Sequence, residues 1–354
     1  MTEEVLNQFD DKAFKNKLIQ WFEENKRELP WRETKDPYKI WVSEIMLQQT
    51  KVDTVIDYYN RFLAQFPTVQ DLAAADEQEV LKLWEGLGYY SRARNLHTAA
   101  KDVVANHDGI MPNNPTELGK LKGIGPYTQG AVSSIAFQLP EPAVDGNVMR
   151  VLSRVLLIND NISDQKTRRK FEAIIREIIS KENPSYFNQG LMELGALICT
   201  PTSPSCLLCP VQAECRAFEA GVQTSLPVKL KKKKQKELAY FTFIIRDEAG
   251  KIAIEQRPNT GLLANLWQFP MIEKKPIQFI SIEAMVKEVY GIDIKVNAQH
   301  EKVNHIFTHL KWELDVYDVT ILNKGKDTPF TFVEKTALQT YPFSVSHIKI
   351  MENI

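Results

Sequence analysis

Apolar residues recur at helical spacing up to about residue 228 and at alternating spacing beyond it. Phe14, Leu18, Trp21 and Phe22 mark one face of a helix over 12–22, which Leu29-Pro-Trp31-Arg32 breaks. Asp36-Pro37 opens a second helix running toward Thr50, with an acidic N-cap followed by proline at the first helical position. Helical patterns continue over 53–65, 77–83, 93–106, 127–137, 148–157 and 167–181. No strand pattern occurs before about residue 238. After it, 239–246 and 251–256 read as strands around the turn 247–250, 281–290 as a helix, and 303–307 and 311–317 as two more strands. The pattern predicts an all-α domain over 1–228, a basic linker at 229–237 and an α+β domain over 238–354.

Two glycine-punctuated turns interrupt the helical part. In Leu121-Lys-Gly123-Ile-Gly125-Pro126-Tyr127, two glycines permit positive φ and Pro126 suits the first turn of a new helix. The product is two short helices joined by a hairpin whose N–H groups can face a phosphate. The second turn, Gly86-Leu87-Gly88-Tyr89-Tyr90-Ser-Arg92-Ala-Arg94, mixes apolar wedges with cations, which suits a surface pressed into duplex DNA. Downstream of the hairpin, Asp145 precedes Gly146-Asn147 and reads as an N-cap, or as a carboxylate offered to a site. Glu44 lies among Trp41, Ile45, Met46 and Leu47. It marks either the wet face of its helix or a carboxyl in an apolar pocket, where burial would raise its pKa.

Net charge changes this picture little. It is −1, slightly acidic before residue 230 and slightly basic after, so a polyanion would need a local basic face. The N-terminal stretch lacks the cationic and apolar regions of a signal peptide, and no apolar run reaches membrane-spanning length. The expected compartment is cytosolic and reducing, with no secretion and no membrane.

All four cysteines fall in one segment, Cys199-x6-Cys206-x2-Cys209-x5-Cys215. In a reducing compartment such clustering indicates metal rather than disulfide. Four thiolates suit structural zinc or an iron–sulfur cluster, and spacing alone leaves the metal open.

Taken together, these pieces resemble the MutY-type adenine DNA glycosylases of the endonuclease III superfamily, over essentially the whole chain. The matching stretches are Leu29-Pro-Trp31-Arg32, Trp41-Val-Ser-Glu44-Ile-Met-Leu-Gln-Gln49-Thr50, Gly86-Leu-Gly-Tyr-Tyr-Ser-Arg92, the hairpin, Val144-Asp145-Gly-Asn147-Val-Met-Arg150, and the cysteine loop. Gly261-Leu-Leu-Ala-Asn-Leu-Trp-Gln-Phe-Pro270 resembles a Nudix fold. The resemblance implies a multidomain chain, with a helix-hairpin-helix glycosylase domain followed by an α+β Nudix-like domain. It further implies a [4Fe–4S] cluster on the four cysteines, and a monomer acting on double-stranded DNA with adenine opposite 8-oxoguanine.

The implied reaction is hydrolysis of the N-glycosidic bond. Glu44 would protonate adenine, and Asp145 would stabilise the oxocarbenium-like sugar, with Asn147 in support. Arg27, Trp31, Arg32 and Gln189 would meet the adenine. Gln49, Thr50, Leu87 and Tyr89 would fill or wedge the gap left in the stack. Gly123 and Gly125 would hold backbone phosphate. In lyase members of the superfamily a lysine follows the second hairpin glycine by two positions. Tyr127 stands there in this chain and cannot form a Schiff base. Phe307-Thr308-His309 offers a hydroxyl between two rings as a reader of 8-oxoguanine, where the family pattern often has serine.

Three other readings stay open at this point: a bifunctional glycosylase/lyase, an inactive lesion-binding protein and a Nudix pyrophosphohydrolase. The presence of both Glu44 and Asp145 disfavours the second. The third needs the carboxylate-rich Nudix signature, of which only fragments survive around Glu283 and Glu288.

Overall fold

The computed structural model describes residues 2–230, 236–274, 281–307, 310–323, 328–352 and 354. Contacts divide the chain into two units, residues 1–74 with 95–231 and residues 75–94 with 232–354.

The helices before residue 230 are α1 (Thr2–Leu6), α2 (Asp11–Asn25), α3 (Pro37–Leu47), α4 (Val52–Gln65), α5 (Val69–Ala74), α6 (Glu77–Leu83), α7 (Ser91–Asn106), α8 (Pro115–Leu118), α9 (Pro126–Phe137), α10 (Gly146–Val155), α11 (Gln165–Ile178), α12 (Pro184–Leu197) and α13 (Arg216–Glu219). Every pattern read as helical in the sequence forms one, with ends shifted by a few residues. The second helix stops at Leu47, because Gln48 leaves helical backbone at ψ 110°, and Gln49 follows with a left-handed φ of +60°.

In the first unit α3 is buried on every face from Ile40 to Met46, with Ser43 and Glu44 as its buried polar residues, as expected of a helix enclosed by others. Asp36 caps it, accepting from the Tyr38 N–H at 2.9 Å. Two glycines set how closely the neighbouring backbone approaches. A Cβ on Gly130 of α9 would overlap the Pro142 carbonyl oxygen, and one on Gly195 of α12 would lie 2.6 Å from the Asn147 Cβ. The proline loop 139–145 therefore lies against α9, and the start of α10 against α12. Those two contacts fix Asp145 and Asn147.

The hairpin forms as read, with one correction. Gly123 has φ +83°, but Gly125 has φ −89° and serves as the N-cap of α9. Gly125 thus needs no left-handed freedom. Its open side, with nothing within 4 Å of a built Cβ, leaves room for a partner to approach.

The second unit is built on a sheet of β1 (Lys236–Arg246), β2 (Ile252–Gln256), β3 (Trp267–Gln268), β4 (Met271–Glu273), β5 (Asp293–Gln299), β6 (Val303–Ile306), β7 (Leu310–Asn323) and β8 (Thr331–Val333), with α14 (Ile282–Tyr290) and α15 (Val345–Met351). β1 and β7 run parallel from Lys236↔Leu310 to Arg246↔Thr320, and the other pairings are antiparallel. Ile244, Phe269, Trp312 and Phe343 pack in one core, and Phe243, Ile245, Val286 and Val319 in another. Burial on both faces explains why β1 reads as a continuous apolar run rather than an alternation.

Residues 75–94 belong to this second unit although they lie within the helical stretch of sequence. Side-chain hydrogen bonds account for it. Trp267 Nε1 donates to Gln78 Oε1 at 3.0 Å, Asn265 Nδ2 to Glu77 Oε1 at 2.5 Å, and Arg94 Nη1 to the Asn259 carbonyl at 3.2 Å. Among the described residues, no helix is long and apolar enough to cross a membrane.

Candidate active site

A cavity of about 180 Å³ opens in the first unit between α3, α9, α12 and the start of α10. Glu44, Tyr127 and Asp145 all line it. Glu44 is 5% exposed, so it is the pocket carboxyl rather than the wet-face residue. Burial raises its pKa to about 7, the Tyr127 hydrogen bond pulls it back, and the charge of Asp145 pushes it up again. The Tyr127 hydroxyl donates to Glu44 Oε2 at 2.6 Å and lies 3.7 Å from Met192 Sδ.

Asp145 is both cap and site residue. One carboxylate oxygen accepts from the Val148 N–H at 2.7 Å and the other from Asn147 Nδ2 at 2.9 Å. Burial pushes its pKa upward, opposed by those donors and by the charge of Arg150. Asn147 is fixed in turn by Arg150, whose Nη2 donates to Asn147 Oδ1 and to the Gly195 carbonyl, both at 2.7 Å. Arg150 Nε donates to the Cys199 carbonyl at 2.8 Å. A continuous chain of polar contacts therefore joins Asp145 to the cysteine loop.

On the far wall, Arg27, Trp31, Arg32, Thr50 and Gln189 line the same cavity. Glu193 organises the two arginines. Arg27 donates to its carboxylate through Nε (2.9 Å) and Nη2 (2.8 Å), and Arg32 through Nη1 (3.0 Å) and Nη2 (2.9 Å). Burial alone would raise Glu193, but the two guanidinium forks outweigh it and hold the carboxyl down at about 2. Glu193 is absent from the sequence reading because helix α12 was not recognised there. The signal was present: Asn183-Pro184 as a start, then Phe187, Leu191 and Leu194 at helical spacing with Glu193 among them.

Of the residues expected to fill or wedge the gap in the stack, Thr50 lines this cavity. Gln49 is exposed and does not line it. Leu87 and Tyr89 belong to the second unit. There Leu87 is only 6% exposed, packed inward rather than presented as a wedge, whereas Tyr89 is 43% exposed. Arg92 is buried as well. Its guanidinium sits 5.4 Å from both the Trp84 and Tyr89 rings and donates to the Leu87 and Gly88 carbonyls. Its cation supports the turn instead of facing outward.

Cys199, Cys206, Cys209 and Cys215 share a small apolar cavity of about 20 Å³ with Val151, Val155, Leu194 and Phe218. Buried Arg154 places Nη1 3.2 Å from Cys199 Sγ and ties down the Thr200, Pro201 and Leu226 carbonyls. The four thiols thus line one apolar cavity beside a buried cation. Among the described residues, no three His, Cys, Asp or Glu side chains stand close enough together to hold a metal ion.

In the second unit a cavity of about 480 Å³ is lined by Tyr89, Arg94, Leu263, His305, Phe307 and Ser344, among others. Phe307 meets His305 edge-on at 4.4 Å and Trp312 at 4.9 Å. Thr308 and His309 lie outside the described residues.

Residues 42–177 match the HhH-GPD superfamily of base excision DNA repair proteins, and residues 241–353 match the NUDIX domain. The adenine DNA glycosylase of Homo sapiens is 35% identical over 91% of this chain and 69% of its own length. The chain belongs to the adenine DNA glycosylase family. The Arabidopsis thaliana adenine DNA glycosylase is 36% identical over 87% of this chain, which spans 57% of that relative's length. A solved thermostable thymine-DNA glycosylase is similar with a TM-score of 0.54 and 28% identity, covering 59% of this chain and 97% of that one. The glycosylase domain accordingly carries the carboxyl pair, and the Nudix-like domain follows it.

Proposed function

We propose that this glycosylase removes adenine mispaired with 8-oxoguanine by hydrolysing the N-glycosidic bond, without a lyase step. The observation that carries the proposal is the pairing of Glu44 and Asp145 in one cavity with different supports. Adenine is a poor leaving group until protonated. A carboxyl titrating near 7 holds a proton at neutral pH and can deliver it, by family analogy at N7. Tyr127 occupies Oε2, leaving Oε1 to carry that proton. Departure of neutral adenine leaves an oxocarbenium-like sugar, which the Asp145 carboxylate stabilises or attacks until water adds at the anomeric carbon and releases a proton, completing the hydrolysis. The Val148 and Asn147 donors favour its ionised form. Arg27, Arg32 and Gln189 offer polar groups to the rim of a flipped adenine, with Glu193 pairing both cations and leaving one net positive charge. Gly125 and the hairpin amides hold the DNA phosphate.

No amine stands at position 127, so Schiff-base chemistry is absent from that position. Tyr127→Lys should introduce borohydride-trappable lyase activity. Efficient trapping by the unaltered protein would contradict the monofunctional reading.

In the second unit the cavity at Tyr89 and Phe307 supports the reading of the opposite base. 8-Oxoguanine carries an N7–H donor where guanine has a lone pair, and the Thr308 hydroxyl supplies an acceptor. The four cysteines would hold a [4Fe–4S] cluster, which when bound would tie the loop 199–215 into one ordered piece.

Strand cleavage of duplexes with adenine opposite 8-oxoguanine, adenine opposite guanine, and thymine glycol tests the proposal. Excision should be fastest on the first and absent on the third. Preferential action on thymine glycol would overturn it.

A further inference from the structure

We propose that Glu85 and Tyr90 are positioning residues for lesion specificity, because they join the Tyr89 turn and the Nudix-like sheet into one reading body. The inference rests on the proposal that the second unit reads the base opposite adenine.

The turn that presents Tyr89 is built from unusual backbone. Gly86, Gly88 and Tyr89 have φ of +93°, +75° and +49°, and a tyrosine adopts that region only where its surroundings impose it. Those surroundings centre on one residue, Phe343, which is fully buried and stacked on Phe269 at 5.7 Å. The Phe343 N–H donates to Glu85 Oε1 at 2.7 Å, and the Tyr90 hydroxyl donates to the Phe343 carbonyl at 3.1 Å. The same hydroxyl accepts from the Gly86 N–H at 3.1 Å. Both polar groups of one core residue are thus held from the two ends of the turn, and the turn is closed on itself through the same oxygen. Lys82 Nζ adds a donor to the Tyr341 carbonyl at 3.2 Å. Tyr89 and Phe307 line one cavity, so any slack between the turn and the sheet changes the shape that would meet the lesion.

The test uses the full-length protein with Tyr90→Phe, Glu85→Ala and the double variant. Glu85→Gln keeps an acceptor oxygen and serves as the rescue. Dissociation constants are measured for duplexes with a non-cleavable adenine analogue opposite 8-oxoguanine and opposite guanine, and single-turnover excision at saturating enzyme is measured in parallel. The double variant should lose at least fivefold of its preference for 8-oxoguanine, with the saturating rate on the lesion pair within twofold of the parent. Glu85→Gln should retain the preference. Should Glu85→Ala fail to fold, the isosteric Tyr90→Phe decides alone, with a loss of at least twofold expected. A preference unchanged in these variants but lowered by Phe307→Ala would overturn the positioning role and leave the reading role standing. A preference unchanged in Phe307→Ala as well would overturn both.

Discussion

The Tyr127 hydroxyl donates to the Glu44 carboxylate across 2.6 Å, joining α9 to α3 at the wall of the cavity. That bond favours the ionised form of Glu44, against a burial that favours the neutral form. Tyr127→Phe removes the donor and keeps the ring. Glu44 should then titrate above its present value of about 7. The loss of excision with rising pH should move to higher pH by roughly half a unit or more. Single-turnover rates across pH check this, and a shift toward acid would contradict it.

The buried Glu44 also predicts a cost in stability. Its folded pKa of about 7 lies above the ordinary 4.5, so the folded protein holds this proton where the unfolded chain has lost it. The neutral form stabilises the fold fully below about 4.5, and the contribution is lost as pH rises to about 7. Glu44→Gln should be more stable than the parent at about pH 8, by roughly 3 kcal/mol. The gap should close at about pH 4. Denaturant melts at the two pH values measure it, and a variant less stable at the higher pH would count against burial as the cause.

Glu193 is the anion on which two guanidinium groups depend. Glu193→Ala strands both cations in a half-buried wall and should cost about 3–5 kcal/mol. Glu193→Gln keeps an acceptor and should cost less. Equilibrium unfolding with urea tests this, and a loss below about 1 kcal/mol for the alanine variant would show that the arginines find other partners.

Gly130→Ala addresses the loop that carries Asp145. A methyl group there collides with the Pro142 carbonyl. Neither α9 nor the loop can yield without moving Asp145. The variant should lose about 1–3 kcal/mol and most of its excision rate, measured by melting and by single turnover. Parent-like activity in a destabilised variant would show that Asp145 tolerates displacement.

Much of this was legible in the chain, and the gaps have physical reasons. The carboxyls Glu44 and Asp145 lie beside glycines, prolines and apolar periodicity, all of which are local signals. The helix that carries Glu193 was legible, but the role of Glu193 was not, because it depends on Arg27 and Arg32, more than 160 positions away in sequence. The inward placement of Arg92 was hidden because it depends on how the turn folds back, bringing the Trp84 and Tyr89 rings and the Leu87 and Gly88 carbonyls around one guanidinium. Gly125 looked like a conformational requirement, yet its backbone is ordinary and its open side is what distinguishes it. The strand β5 was legible, since Ile294, Val296 and Ala298 alternate with polar residues over Asp293–Gln299, although most of its side chains are exposed.

The central claim is that Glu44 supplies the proton and Asp145 meets the cation. Single-turnover excision of adenine opposite 8-oxoguanine, with binding of the same duplex measured in parallel, tests it most directly. Asp145→Asn and Glu44→Gln should each bind within a few-fold of the parent and lose on the order of 10²–10⁴-fold or more in rate. Near-normal excision by either variant would contradict its assigned role.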